Sequence, residues 1–96
     1  MATWIKTTGE TIPVSFKNVE SDFERITKMQ ELVGGFYEGH KLGEQWLLIN
    51  EDGLSLGLET NYLLTSIAMG HLCMTAEGIV GNGILFEPGE FEELSE

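Results

Sequence analysis

Apolar and polar residues alternate with a period of two near both ends of the chain and in its middle, and with a period near four in two stretches between. Segments 3–7 and 11–16 are rich in β-formers and flank Thr8-Gly9-Glu10, where glycine supplies the positive φ of a tight hairpin loop. Ile12, Val14 and Phe16 fall on one face of the second segment, and Pro13, having no N–H, belongs on an edge strand or at an unpaired position. Ser21-Asp22-Phe23-Glu24 then has the form of a capping box, with two acids at the positive end of the helix dipole. Phe23, Ile26, Met29 or Gln30, and Val33 make its buried stripe, and Gly34-Gly35 stops it. The spacing predicts a helix over 22–33.

Two further strands follow, one around Phe36–His40 and one over 45–50 with the run Trp46-Leu47-Leu48-Ile49, joined by a short glycine-containing loop. Asn50-Glu51-Asp52-Gly53 is a turn, and Leu54, Leu56 and Leu58 alternate as in one more short strand. Asn61 or Thr60 caps a second helix running through Met69, with Leu63, Leu64, Ile67 and Ala68 on its buried side and Gly70 as its stop. Ile79-Val80 and Ile84-Leu85-Phe86 form a last strand interrupted by Gly81-Asn82-Gly83, the mark of a bulge or a close backbone approach. The order ββαββ(β)αβ is that of a small α+β domain, a mostly antiparallel sheet with two short helices. We expect one compact domain over 1–86 and an acidic tail over 87–96 whose Phe91 and Leu94 can dock.

Charge narrows the function classes. The 96 residues carry 5 Lys or Arg and 16 Asp or Glu, a net charge of −11, and no base follows Lys41. Residues 1–41 hold 6 acids and 5 bases, a balance of −1, and residues 42–96 hold 10 acids and no base, a balance of −10. Phosphate contacts rest on clustered Lys and Arg, so direct binding to nucleic acid or to an anionic membrane through a basic face is excluded. An apolar fraction of 42% argues for folding. The longest uncharged stretch, 60–76, is too short and too polar to span a bilayer, and the lone Cys73 forms no internal disulfide, which fits a bacterial cytoplasm. A chain this small buries only about 60 to 65% of its unfolded surface, so a homo-oligomer is expected.

No catalytic or cofactor motif is complete, and we expect neither a cofactor nor an enzyme. Gly81-Asn82-Gly83 opens like a phosphate loop, but no Gly-Lys-Ser/Thr follows. His40, His71 and Cys73 lack the four-ligand spacing of structural zinc, and Asn50–Gly53 lacks the twelve-residue calcium pattern, so no metal is assigned. The remaining candidates are ligand-binding groups. The amides of Gly34, Gly35, Gly81 and Gly83 are candidates for anion-binding nests, Tyr37 for stacking, Asn61 and Asn82 for polar contacts, and Arg25 for charge, with Lys28 and Lys41 as further bases.

Leu32-Val33-Gly34-Gly35-Phe36-Tyr37-Glu38, the turn at Leu48–Gly53, Asn61 opening a short helix, and Ile79-Val80-Gly81-Asn82-Gly83-Ile84-Leu85 resemble the domain of unknown function 3846 family of phages, plasmids and other mobile elements. The likeness covers about residues 1–86 and departs from the family at Gly57-Leu58-Glu59-Thr60 and in the acidic tail. The resemblance implies no activity, only a setting of accessory phage biology. On that basis the expected function is counter-defence: a non-catalytic protein that sequesters a nucleotide-derived signalling molecule through the residues above. The alternative is an acidic inhibitor of a host protein that imitates the charge of nucleic acid.

Overall fold

The computed structural model describes residues 1–17, 21–70 and 78–94. Five strands, β1 (Ala2–Ile5), β2 (Thr11–Val14), β3 (Tyr37–Leu42), β4 (Gln45–Asn50) and β5 (Gly83–Leu85), form one sheet in the order β2-β1-β5-β4-β3. Every neighbouring pair is antiparallel. The helices are α1 (Asp22–Val33), α2 (Tyr62–Met69) and the short α3 (Glu90–Leu94). The α+β class and the approximate element order therefore follow the sequence pattern, with α3 as an added element.

Both sheet faces are covered. On one, α1 and α3 close over Ala2, Leu48, Ile84 and Phe86, together with Phe16, Met29 and Val33. On the other, α2 sets Leu64 and Ala68 against Ile5, Leu42, Leu47 and Ile79. Strand β4 feeds both cores because successive side chains point to opposite faces: Trp46 and Leu48 go to the α1 side, Leu47 and Ile49 to the α2 side. That is why the run Trp46–Ile49 is apolar throughout. Pro13 sits in β2, at the edge of the sheet, where its missing donor is tolerated.

The helix ends follow their signals. Ser21 accepts from the Glu24 N–H at 3.1 Å, and Gly34, left-handed at φ 83°, closes α1 by donating to Gln30 O. Only the C-terminal half of the expected α1 stripe is buried, as Met29 and Val33; Phe23 is 78% exposed and Ile26 is also exposed. That end of α1 is anchored by Trp4 Nε1 donating to Leu32 O (2.8 Å) and Asn50 Nδ2 donating to Val33 O (3.2 Å), while nearer the start Lys28 Nζ donates to Ser15 O (2.8 Å), just beyond β2. On α2, Leu64 and Ala68 are buried as expected and Ile67 partly so, but Leu63 faces outward. The Leu54–Leu58 alternation is not a strand. Leu56 N–H donates to Asp52 O and Leu58 N–H to Gly53 O, winding the segment into successive turns with Leu54 and Leu56 exposed. The acidic segment after Pro88 includes α3, whose Phe91 packs on Trp46 and Phe86 at centroid distances of 5.4 and 5.1 Å.

Candidate functional site

Two regions compete for a functional role: the polar seam where β1, β5 and α2 meet, and a cleft at the outer end of the same sheet face. Asn61 organises the seam. It caps α2 by accepting from Leu64 N–H (3.0 Å), while its Nδ2 donates to Ile5 O (3.1 Å) and Gly81 O (3.0 Å). Its backbone N–H donates to Ile79 O at 2.7 Å, and Thr60 bridges Val80 beside it. One carboxamide thus joins β1, the 79–81 segment and α2, which explains why a polar side chain is 1% exposed. Asn82 performs a similar service nearer the surface, accepting from Thr7 N–H at 2.9 Å.

The glycines of the seam answer to packing. A Cβ on Gly83 would lie 2.5 Å from Leu64 Cδ1 and 3.1 Å from Leu48 O, so the absent side chain is what lets α2 approach the sheet. Gly81 adopts φ +82°, and its amide donates to Glu59 O at 2.7 Å. The amides of Gly34 and Gly35 both donate to Gln30 O, and Asn50 Nδ2 lies 3.1 Å from where a Gly35 Cβ would stand. The amides of Gly34, Gly35 and Gly81 are therefore engaged within the backbone, and Gly83 lies in β5 between β1 and β4.

Of the sequence-predicted ligand residues, Gly34, Gly81 and Asn82 line one depression of about 260 Å³, with Glu59 among its walls and, among the described residues, no Lys or Arg. Asn61 and Gly83 are buried and line none of the depressions described here. Tyr37 and Arg25 meet elsewhere, in a depression between α1, β3 and α3 that also includes Ile26, Met29 and Leu94. Arg25 pairs there with Asp22 on its own helix. Lys28 donates to Ser15 O and lies over Phe16, and Lys41 lies over Trp46. The bases do not converge on the glycine depression. His71 and Cys73 lie outside the described residues. Among the described residues, no group of three or more His, Cys, Asp or Glu is arranged to hold a metal ion, and no helix is long and apolar enough to cross a membrane.

The second region is a cleft of about 270 Å³ between the β3–β4 hairpin, the 51–57 turns and α2. Its floor is apolar: Leu42, Leu47 and Ala68 are at most 1% exposed. Its polar wall comes from pairing register. Glu38 lies opposite Ile49, and Phe36 O accepts from Glu51 N–H, so Glu38 and Glu51 are diagonal neighbours on the α2 face. His40 Nε2 is 3.3 Å from Glu38 Oε1, and both side chains are roughly half exposed, at 45% and 47%. Asn50, also in the wall, donates from Nδ2 to Val33 O and accepts at Oδ1 from Asp52 N–H. The exposed polar side chains on the described lining are the carboxylates of Glu38 and Glu51, with His40 and the Ser55 hydroxyl beside them. Sequence reading named none of Glu38, Glu51 or Leu54 as site residues; the available signal was the period-two placement of Glu38, His40 and Leu42 beside an all-apolar strand. A scan against family models, a search of curated proteins and a search of solved structures each return no match.

Proposed function

We propose that this chain is a non-catalytic accessory protein of the phage type its motifs resemble, acting by docking its acidic surface on a basic face of a host protein. The charge layout carries this reading. Residues 42–96 contain ten acids and no Lys or Arg, and Glu44, Glu51, Asp52, Glu59, Glu87, Glu92 and Glu93 are all exposed. Of the bases, Lys6 pairs with Glu10, Arg25 with Asp22, and Lys28 is held by Ser15 O and Phe16. Such a surface attracts a cationic partner at long range and speeds encounter, an effect that added salt screens.

The test is capture of host proteins on the full chain, then titration of the purified captured protein at about 50 and about 300 mM salt. Affinity is expected to fall at least about tenfold across that range and further in the Glu92→Gln/Glu93→Gln variant. Glutamines are preferred to deletion of the tail because Phe91 and Leu94 belong to the core periphery. Salt-independent binding overturns the reading.

A second reading, capture of a nucleotide-derived signal, is favoured by one observation: Gly34, Gly81 and Asn82 share a depression. It predicts a thermal shift with cyclic or linear nucleotides that Asn82→Ala abolishes; a blank across the panel removes it.

A further inference from the structure

We propose that the cleft between the β3–β4 hairpin, the 51–57 turns and α2 receives a single arginine side chain of the basic partner. This rests on the acidic-docking reading and adds to it the group that enters and the place where it enters.

Three properties of the cleft select that occupant. Its volume of about 270 Å³ is below the usual range of about 300 to 1,000 Å³ for small-molecule sites, which suits one long side chain better than a nucleotide or a helix. Its floor of Leu42, Leu47 and Ala68 offers a visitor no hydrogen-bonding side chain, so what lies deep must be hydrocarbon. At its wall, Glu38 and Glu51 accept hydrogen bonds and donate none, His40 and the Ser55 hydroxyl stand beside them, and among the described residues no Lys or Arg lines the site to neutralise the two carboxylates. An alkyl stem ending in a cation satisfies both zones at once. The stem also covers Leu54, which lines the cleft and is 61% exposed.

Arginine suits the geometry better than lysine. Diagonal neighbours on an antiparallel pair stand about 7 to 8 Å apart at Cα, and carboxylates at those positions can flank a group between them. The planar guanidinium presents five donors in a fixed fork and can serve both, while an ammonium acts as a strongly hydrated point charge. His40 already leans on Glu38, so arrival of the guanidinium displaces a contact that is charged only when the imidazole is protonated.

The experiment is a nitrogen-15 amide-shift titration of the full chain with a blocked arginine tripeptide, its citrulline and lysine counterparts, and free agmatine. Saturable shifts are expected at β3, β4 and α2, with the citrulline peptide at least about tenfold weaker and the lysine peptide several-fold weaker. Glu38→Gln/Glu51→Gln is expected to weaken the arginine peptide at least about tenfold, and Glu31→Gln on the exposed side of α1 to leave it unchanged. Unchanged melting temperatures show that the variants still fold. The proposal is overturned if citrulline or lysine binds as tightly as arginine, if the shifts map to α3 instead, or if agmatine binds and the peptide does not. If the captured host protein responds to salt and to Glu92→Gln/Glu93→Gln but not to the cleft variants, the cleft assignment falls and acidic docking stands. If the arginine peptide fills the cleft and no captured protein shows salt dependence, acidic docking falls.

Discussion

The seam around Asn61 and the cleft beside Glu38 lie on the same face of the sheet and spend their polar groups in opposite ways. In the seam, Asn61 makes three side-chain hydrogen bonds and is almost wholly buried, and the neighbouring glycines are fixed by a left-handed φ or by a side chain pressed against them. In the cleft, two exposed carboxylates stand above an apolar floor, and among the described residues the one ion pair there involves a histidine. The residue types that look most like chemistry in the sequence hold the fold together. The open surface is written in glutamate and leucine, residues that occur everywhere. A buried polar group with all its bonds made offers a ligand nothing without breaking something first, whereas an exposed acceptor above hydrocarbon can gain a partner at little cost.

Substitutions in the seam should therefore be severe. The largest effect is expected at Gly83, where Gly83→Val pushes new atoms into Leu64 and toward Leu48 O and leaves the chain largely unfolded by circular dichroism. Gly83→Ala should cost about 2 to 3 kcal/mol in urea denaturation, as overpacking typically does. Because the nearest clash is with Leu64 Cδ1, Gly83→Ala combined with Leu64→Ala should cost less than the sum of the two. Strict additivity would mean that α2 does not press on β5 at this point.

Asn61 comes next. Asn61→Ala removes the α2 cap and leaves Ile5 O and Gly81 O without their donor, for an expected loss of about 2 to 4 kcal/mol. Asn61→Asp separates the two roles. Its carboxylate can still accept from Leu64 N–H but would face two carbonyl oxygens, so burial and those oxygens raise its pKa in the folded state above the ordinary carboxyl value. A raised folded pKa gives stability that is present below the unfolded value, about 4, and is lost as pH rises through the folded one. The Asp variant should then approach the original chain only in acid and be the weaker by neutral pH. Equal stability of Asn61→Asp at both ends of that range would show that the two donor bonds contribute little.

These contrasts also explain what could be read in advance. Ser21, Gly34 and Asn61 announce helix ends because caps are local, depending on residues three or four apart. The β3–β4 hairpin is legible for the same reason, its turn being only Gly43-Glu44 between the paired Leu42 and Gln45. The exposed Phe23 and Ile26 were not legible, because periodicity tells which side of a helix is apolar but not how far the sheet beneath it reaches. The Leu54–Leu58 segment misleads because alternation alone cannot distinguish a strand from turns that happen to put leucines at every second place. Of the proposed ligand residues, Gly34, Gly81 and Asn82 do come together, but Arg25 and Tyr37 are carried to the α1 side of the sheet by β3 and α1. The cleft could not be seen at all from local pattern. It needs β3, β4, the 51–57 turns, α2 and Ile79 to meet, and only sheet order brings them there.

The smallest stability effects are expected at the cleft itself. Leu54 and Leu64 are both leucines bordering α2 or its neighbouring turn, yet one is 61% exposed and the other fully buried. Leu64→Ala opens a cavity against Ile5 and Leu47 and should cost about 2 to 4 kcal/mol, while Leu54→Ser removes little buried area and should stay within about 0.5 kcal/mol. Glu38→Gln and Glu51→Gln should be as mild or slightly stabilising, since each removes one negative charge from a chain that carries eleven in excess. Chemical denaturation of these four variants side by side measures the contrast directly. A cleft whose residues can be changed without loss of stability is one whose shape is held from behind, by Leu42, Leu47 and Ala68, leaving its wall able to vary with whatever it meets. A cost above about 1 kcal/mol for Leu54→Ser would instead mean that the 51–57 turns are braced by that leucine, and that the cleft is part of the fold's own packing.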